Sequence, residues 1–233
     1  MRLGKILLTG AVLAGMSGAL LECKTPNSQK LNTQQIHNNL IKTLTIHEGK
    51  RNWVYDDKTG KRLYPGDKCS KNGRRTIGVG LNLTGNPSAK RLIKSLERNY
   101  SKIFNGETNL TDSEISYLLD HTIYNAVRDA EKFVSKAEYD NLDSRAQEVL
   151  VNMSFCMGGA RLSGFNRFKQ ALKTNDYNWA AFEIKDSNFY RGSHNKRAKQ
   201  LADKMSSIES NYDLKLRPWV KNLAKDIKYR IKN

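Results

Sequence analysis

Apolar residues recur along most of this chain at helical spacing, and one stretch near the N-terminal end breaks that rhythm. Ile36, Leu40, Ile41 and Leu44 share one face of a segment that opens at Thr33, a capping hydroxyl, and ends near Glu48 and Gly49. The pattern then shortens to β-type runs at Trp53-Val54-Tyr55, Leu63-Tyr64 and Thr76-Ile77-Gly78-Val79-Gly80. Thr59-Gly60, Pro65-Gly66 and Asn72-Gly73 supply the turns between them. This predicts a small antiparallel sheet with a long basic excursion. Helical spacing returns after Pro87. A short helix is expected over 88–99, and a long one opens on the capping box Thr111-Asp112-Ser113-Glu114. Ile115, Leu118, Leu119, Ala126, Val127 and Ala130 form its stripe; Ala146, Val149, Leu150 and Met153 form another within 143–157. Further helices are expected at 164–173, 177–185 and 194–207. The fold class is α+β: a small antiparallel sheet lobe followed by a mainly helical lobe.

The two ends depart from this pattern. Residues 1–22 join a basic start, Arg2 and Lys5, to an apolar run over 6–21 that is short for a membrane span and suited to a secretory leader. Export is expected, to the periplasm, the cell envelope or the exterior. Cleavage after Ala19, lipidation at Cys23 and a releasable weak anchor all stay open. Residues 23–32, polar and containing Pro26, read as a linker, and 33–208 as the main domain. In residues 209–233, Trp219, Leu223, Ile227 and Ile231 follow Pro218 among lysines and arginines. That is either a last packed helix or a basic amphipathic extension for an anionic membrane or wall polymer.

Charge narrows the choice of partner. Forty basic against 23 acidic residues give +17, a field that attracts polyanions without specifying one. The chain has no zinc-finger spacing, RNA-recognition aromatics or phosphate-binding loop, so no specific nucleic acid is expected. Cys23, Cys69 and Cys156 suit an oxidising compartment. Cys69 with Cys156 is the pair that remains if Cys23 is removed or acylated; two unpaired thiols are the other reading. The four histidines have no metal-ligand spacing, and no metal or cofactor is expected.

The candidate chemistry lies where the first helix meets the sheet. Hydrolysing a glycosidic bond takes a proton donor, a second carboxylate and a placed water. Glu48, Asp57 and the Thr76 hydroxyl are those residue types, gathered around a glycine-rich turn. A proton donor working near neutral pH must be shielded from water, and a helix–sheet junction is where a cleft does that. His47, adjacent to Glu48, is expected to face away, since consecutive helical residues do not share a face.

The motifs extend well beyond these three residues. Glu48-Gly49, Tyr55-Asp56-Asp57, Thr76-Ile77-Gly78-Val79-Gly80 and the downstream run Asn152-Met153-Ser154-Phe155-Cys156-Met157-Gly158 together resemble the phage-type lysozymes, glycoside hydrolase family 24. Leu162-Ser163-Gly164-Phe165, Phe189-Tyr190 and Arg197-Ala198 continue the likeness, which covers about 33–208. The resemblance implies a lysozyme-like fold with the cleft between its lobes. It implies a monomer that cleaves the β-1,4 bond between N-acetylmuramic acid and N-acetylglucosamine in peptidoglycan glycan strands. Glu48 would be the general acid, Asp57 the second carboxylate, and Thr76 the holder of water, with inversion at the anomeric carbon. Asn152, Phe155 and Arg197 would bind substrate, the first two near the cleft floor, and Arg197 would also pair with Glu48 and help to orient it.

The chain departs from the pattern in four places. Asp57 and Thr76 stand 19 positions apart, thirteen more than in compact members, and the insertion within 58–75 carries Lys61, Arg62, Lys68, Cys69 and Lys71. It reads as a lid, a polymer grip or simply a longer hairpin. Leu81 replaces a common histidine, Cys156 replaces a sugar-contacting glutamine, and one extra residue separates Tyr190 from Arg197. The alternative function is a non-catalytic cationic wall-binding or membrane-disrupting protein on a lysozyme scaffold.

Overall fold

The first helix, α1 (Thr33–Glu48), stops at Glu48 because Gly49 follows it. Gly49 takes φ +72° and returns its N–H to the Thr45 carbonyl at 2.9 Å, a left-handed cap that glycine adopts without strain. The chain then enters the sheet. The structure is a computed structural model describing residues 33–192 and 194–209. The expected leader and linker over 1–32, and the basic extension apart from Glu209, lie outside the described residues.

Three strands form the sheet in the order β1 (Arg51–Asp56), β2 (Arg75–Gly78), β3 (Leu81–Asn82), all antiparallel. Thr76–Gly80 is not one continuous strand. Gly78 and Gly80 both take positive φ, at +67° and +74°, so the run folds into a hairpin with Val79-Gly80 at its tip. Leu63-Tyr64 is not a strand either. Only Arg62 bridges to Tyr55 before Pro65-Gly66 turns the chain away, leaving Leu63 buried and Tyr64 exposed.

The helices follow as α2 (Pro87–Ser95), α3 (Tyr100–Phe104), α4 (Asp112–Val134), α5 (Lys136–Asn141), α6 (Ser144–Met157), α7 (Gly159–Leu162), α8 (Asn166–Lys173), α9 (Tyr177–Lys185), α10 (Asn188–Arg191) and α11 (Asn195–Ser206). The helix expected over 88–99 stops early, because Glu97 takes φ +57° and Asn99 caps the next helix by accepting from the Lys102 N–H. The 164–173 expectation loses its first two residues to the loop between α7 and α8. Thr111 and Glu114 close a reciprocal capping box at the start of α4.

One contiguous core runs from Leu40 to Ile208 and takes in residues of both lobes. Its centre is α6, buried continuously from Ala146 to Ser154 and packed by α1, α4, α7 and α11. Packing places α1 with the helical lobe, so its last residue reaches the junction with the sheet. The α4 helix contacts α6 as well as β2 and β3, and it bridges the lobes.

The long excursion between β1 and β2 is organised by Asp56, which is 2% exposed. Its carboxylate accepts from the N–H groups of Lys58, Thr59 and Ser70, which pins both ends of the insertion to the end of β1. Gly73 is required beside it, since a Cβ there would sit 2.4 Å from Asp56 Oδ1. Arg75 anchors the far side by donating to the carbonyls of Phe104 and Asp67. Burial works to raise the Asp56 pKa, but the hydrogen bonds from Ser70, Lys58 and Thr59 outweigh it and hold the value below the ordinary 3.8.

Asp56→Ala is therefore expected to cost about 2–4 kcal/mol in urea unfolding, because charge-assisted bonds are lost and buried donors are left unpaired. A carboxylate with a depressed folded value stabilises above its unfolded pKa and loses that contribution as pH falls through the folded one. Protection from hydrogen exchange at Lys58, Thr59 and Ser70, measured against their intrinsic rates, should accordingly fall in acid below the ordinary carboxylate range.

Candidate active site

Glu48 stands where the two lobes meet, and each lobe holds one side of it. From α11, the buried Arg197 guanidinium donates through Nη1 to Glu48 Oε1 at 2.7 Å. From the β-hairpin tip, Gly80 lies so close that a Cβ would fall 2.9 Å from both Glu48 Cδ and Oε2. The carboxyl is thus clamped, yet 27% of the side chain remains open to solvent.

The space in front of it is a cleft of about 1040 Å³ between the lobes. Asp57 and Thr76 line the same cleft as Glu48. Asp57 is the first residue past β1 and is fixed by paired bonds with Arg74: its N–H donates to the Arg74 carbonyl at 3.0 Å, and Oδ1 accepts from the Arg74 N–H at 2.7 Å. Thr76 sits on β2, buried, with its hydroxyl making only a long 3.4 Å contact to the Arg74 carbonyl. That hydroxyl keeps hydrogen-bonding capacity for a molecule in the cleft. Arg51 completes this wall. Its guanidinium lies 4.4 Å from the Tyr55 ring centroid and donates to the Glu48 carbonyl at 3.2 Å.

The helical wall comes from the ends of α2, α4 and α6. Phe155 faces the cleft, whereas Asn152 and Arg197 do not line it. Asn152 is 1% exposed, and its Oδ1 has no hydrogen-bond partner. Arg197 acts on the cleft from behind, through Glu48, His47 and Cys156. Cys156, at the position of the family's sugar-contacting glutamine, lines the cleft; so do Arg161 and, from α4, Arg128, Asp129 and Lys132, none of which the sequence marked for the site. Outward positions on a long amphipathic helix look like a solvated face until a second lobe is placed opposite them.

His47 corrects an expectation, because it lines the cleft beside Glu48 instead of facing away. The cleft wraps around the last turn of α1, so successive residues there border the same space. Burial depresses the His47 pKa, Arg197 adds to that, Glu48 opposes it, and Lys196 lowers it further. Cys69 and Cys156 are both free thiols. Burial raises the Cys156 pKa, with Arg197 opposing, so the thiol stays neutral.

A second concavity of about 850 Å³ adjoins the cleft through Cys156, Arg161 and His194. Its one glutamate, Glu183, is already held by Arg167 at 3.0 Å and Trp179 at 2.8 Å. Its other carboxylate, Asp186, is paired with Arg191, so both acids there are already engaged by arginines.

No known protein-family model matches the chain. It is similar to a protein of Dictyostelium discoideum described as "Probable T4-type lysozyme 2", at 29% identity over 120 residues. The matched part is 49% of this chain and 71% of the relative. The architecture agrees with that similarity. The fold is lysozyme-like: mostly helical, with a small three-stranded antiparallel sheet.

Two outcomes follow from the clamp. Arg197→Ala is expected to cost about 2–4 kcal/mol in chemical denaturation, because it removes one partner of a largely buried pair. His47 binds a proton more readily unfolded than folded, so stability should fall as pH drops below the ordinary histidine value of 6.5. Urea midpoints measured between pH 7.5 and 5 should show this decline, and His47→Gln should flatten it.

Proposed function

We propose that the chain is a peptidoglycan hydrolase that cleaves the β-1,4 bond between N-acetylmuramic acid and N-acetylglucosamine. The observation that carries this reading is the convergence of Glu48, Asp57 and Thr76 on one interlobe cleft, with Glu48 held by a buried arginine. The similarity to a T4-type lysozyme supports peptidoglycan as the substrate class.

In this reading Arg197 occupies Glu48 Oε1, and the proton to be donated resides on Oε2. Glu48 passes that proton to the bridging oxygen as the bond to the anomeric carbon breaks. Asp57 takes a proton from a water whose oxygen bonds to that carbon, and the Thr76 hydroxyl accepts from the same water. The attack comes from the face opposite the leaving group, so the new reducing end has the α configuration. Both carboxyls then exchange protons with solvent and return to their starting states. Phe155 supplies an apolar surface for a sugar ring on the helical wall.

The net charge of +17 suits a wall rich in carboxylates and phosphates. Residues 1–22 fit delivery to that wall, a point read directly from the mass of the mature N-terminus.

Clearing of purified peptidoglycan suspensions tests the catalytic reading. Glu48→Gln should slow clearing by roughly 100- to 10,000-fold, the range for losing a general acid. Asp57→Asn should be similarly impaired, and the wild-type rate should fall as salt is added. If Glu48→Gln clears walls as fast as wild type, the chemistry is not in this cleft and the cationic surface is the active agent.

A further inference from the structure

The outward face of α4 carries aromatic rings that the core does not use. Tyr117 is 38% exposed and Tyr124 61%. His121 stands between them in sequence, with its ring centroid 4.4 Å from that of Tyr117. The Arg128 guanidinium lies over the Tyr124 ring at 6.0 Å. Steps of three and four residues put Tyr117, His121, Tyr124 and Arg128 on one stripe of the helix.

That stripe runs into the cleft. Arg128 at its end lines the cleft, as does Lys132 one turn beyond. The neighbouring helix of the same wall behaves in the same way. Ser88, Ala89 and Leu92 of α2 line the cleft, and one turn further along Ser95 Oγ meets the Tyr117 hydroxyl at 3.5 Å. The same two helices therefore continue side by side past the last cleft residues.

We infer that the stripe Tyr117–His121–Tyr124–Arg128 is an accessory track that binds a β-1,4-linked amino-sugar strand outside the catalytic cleft. The choice of partner rests on the hydrolase reading above. A pyranose ring has an apolar face that stacks on an aromatic one, and tyrosine adds a polar edge for its hydroxyls. Tyr117 and Tyr124 are seven residues apart, about 10.5 Å along the helix axis, which is the span of two such sugars. Arg128 and Lys132 stand where carboxylates borne by the strand would pass into the cleft.

A polyphosphate fits less well. The cations gather at one end of the stripe, while the Tyr117 end is flanked by Asp120, whose own partner is His37 at 3.0 Å. A strand with uncharged rings and intermittent carboxylates matches that uneven distribution.

The test uses the full chain carrying Glu48→Gln, so that walls are bound but not consumed. Sedimentation with insoluble chitin, an uncharged β-1,4 polymer, isolates the stacking contribution, and purified peptidoglycan supplies the charged strand. Adding Tyr117→Ala and Tyr124→Ala should weaken binding to both by about tenfold, with the thermal midpoint unchanged because both rings are exposed. Tyr117→Phe with Tyr124→Phe should restore it, since the rings return. Should the double variant lose its fold, Tyr124→Ala alone gives the same reading. Unaltered chitin binding by the alanine variants overturns the proposal. So does a loss confined to duplex DNA, which would make the stripe a polyanion site. Wild-type clearing by Glu48→Gln would sink the hydrolase reading, and chitin binding would still decide the track separately.

Discussion

A buried helix must find partners for most of the polar side chains it carries, and α6 is buried continuously from Ala146 to Ser154. Glu148, at its middle, accepts from Asn39 on α1 at 2.7 Å and pairs with Lys204 on α11. One buried carboxylate thereby draws the first and last described helices against the centre of the molecule. Lys204 and Arg197 lie two turns apart on the same face of α11, so seating one brings the other to Glu48. Gln147 is satisfied by the Tyr139 carbonyl at 2.7 Å, which ties α5 to the same axis. The position of the candidate acid therefore depends on how a buried helix satisfies its own polar side chains.

The cleft depends on both lobes in a different way. Arg197 holds Glu48 from the helical side, and Gly80 meets it from the hairpin tip. Asp57, just past β1, and Thr76, on β2, belong to the sheet lobe, so the three groups keep their arrangement only while the lobes keep theirs. That relation is maintained by α4, which packs on α6 and on β2 and β3, and by a core continuous across both lobes. Any residue on α4 that borders the cleft, such as Arg128 or Lys132, sits on the element that sets the cleft's width.

The insertion shows how a long excursion stays ordered without regular structure. Its backbone donors converge on buried Asp56, while the neighbouring Asp57 faces the cleft. Two adjacent carboxylates thus divide the work: one organises the loop from inside, and the other stands at its edge beside Arg74. The strand alternation of side chains imposes that division.

Much of this was written locally in the chain. The capping box at Thr111 and Glu114, the glycine after Glu48 and the apolar stripes of α1, α4 and α6 specify elements through nearest-neighbour geometry, which sequence carries directly. Spacing and motif also gathered Glu48, Asp57 and Thr76 as one set, because all three flank the same short sheet. Tertiary structure alone decided that Asn152 and Arg197 are buried, that His47 borders the cleft, and that an outward face of α4 forms its far wall. Periodicity says which side of a helix avoids water, but whether another lobe covers the remaining side depends on contacts between distant segments. Glu48 is the clearest case: its place at a helix end is local, and its clamp between Arg197 and Gly80 is made only when the whole chain has folded.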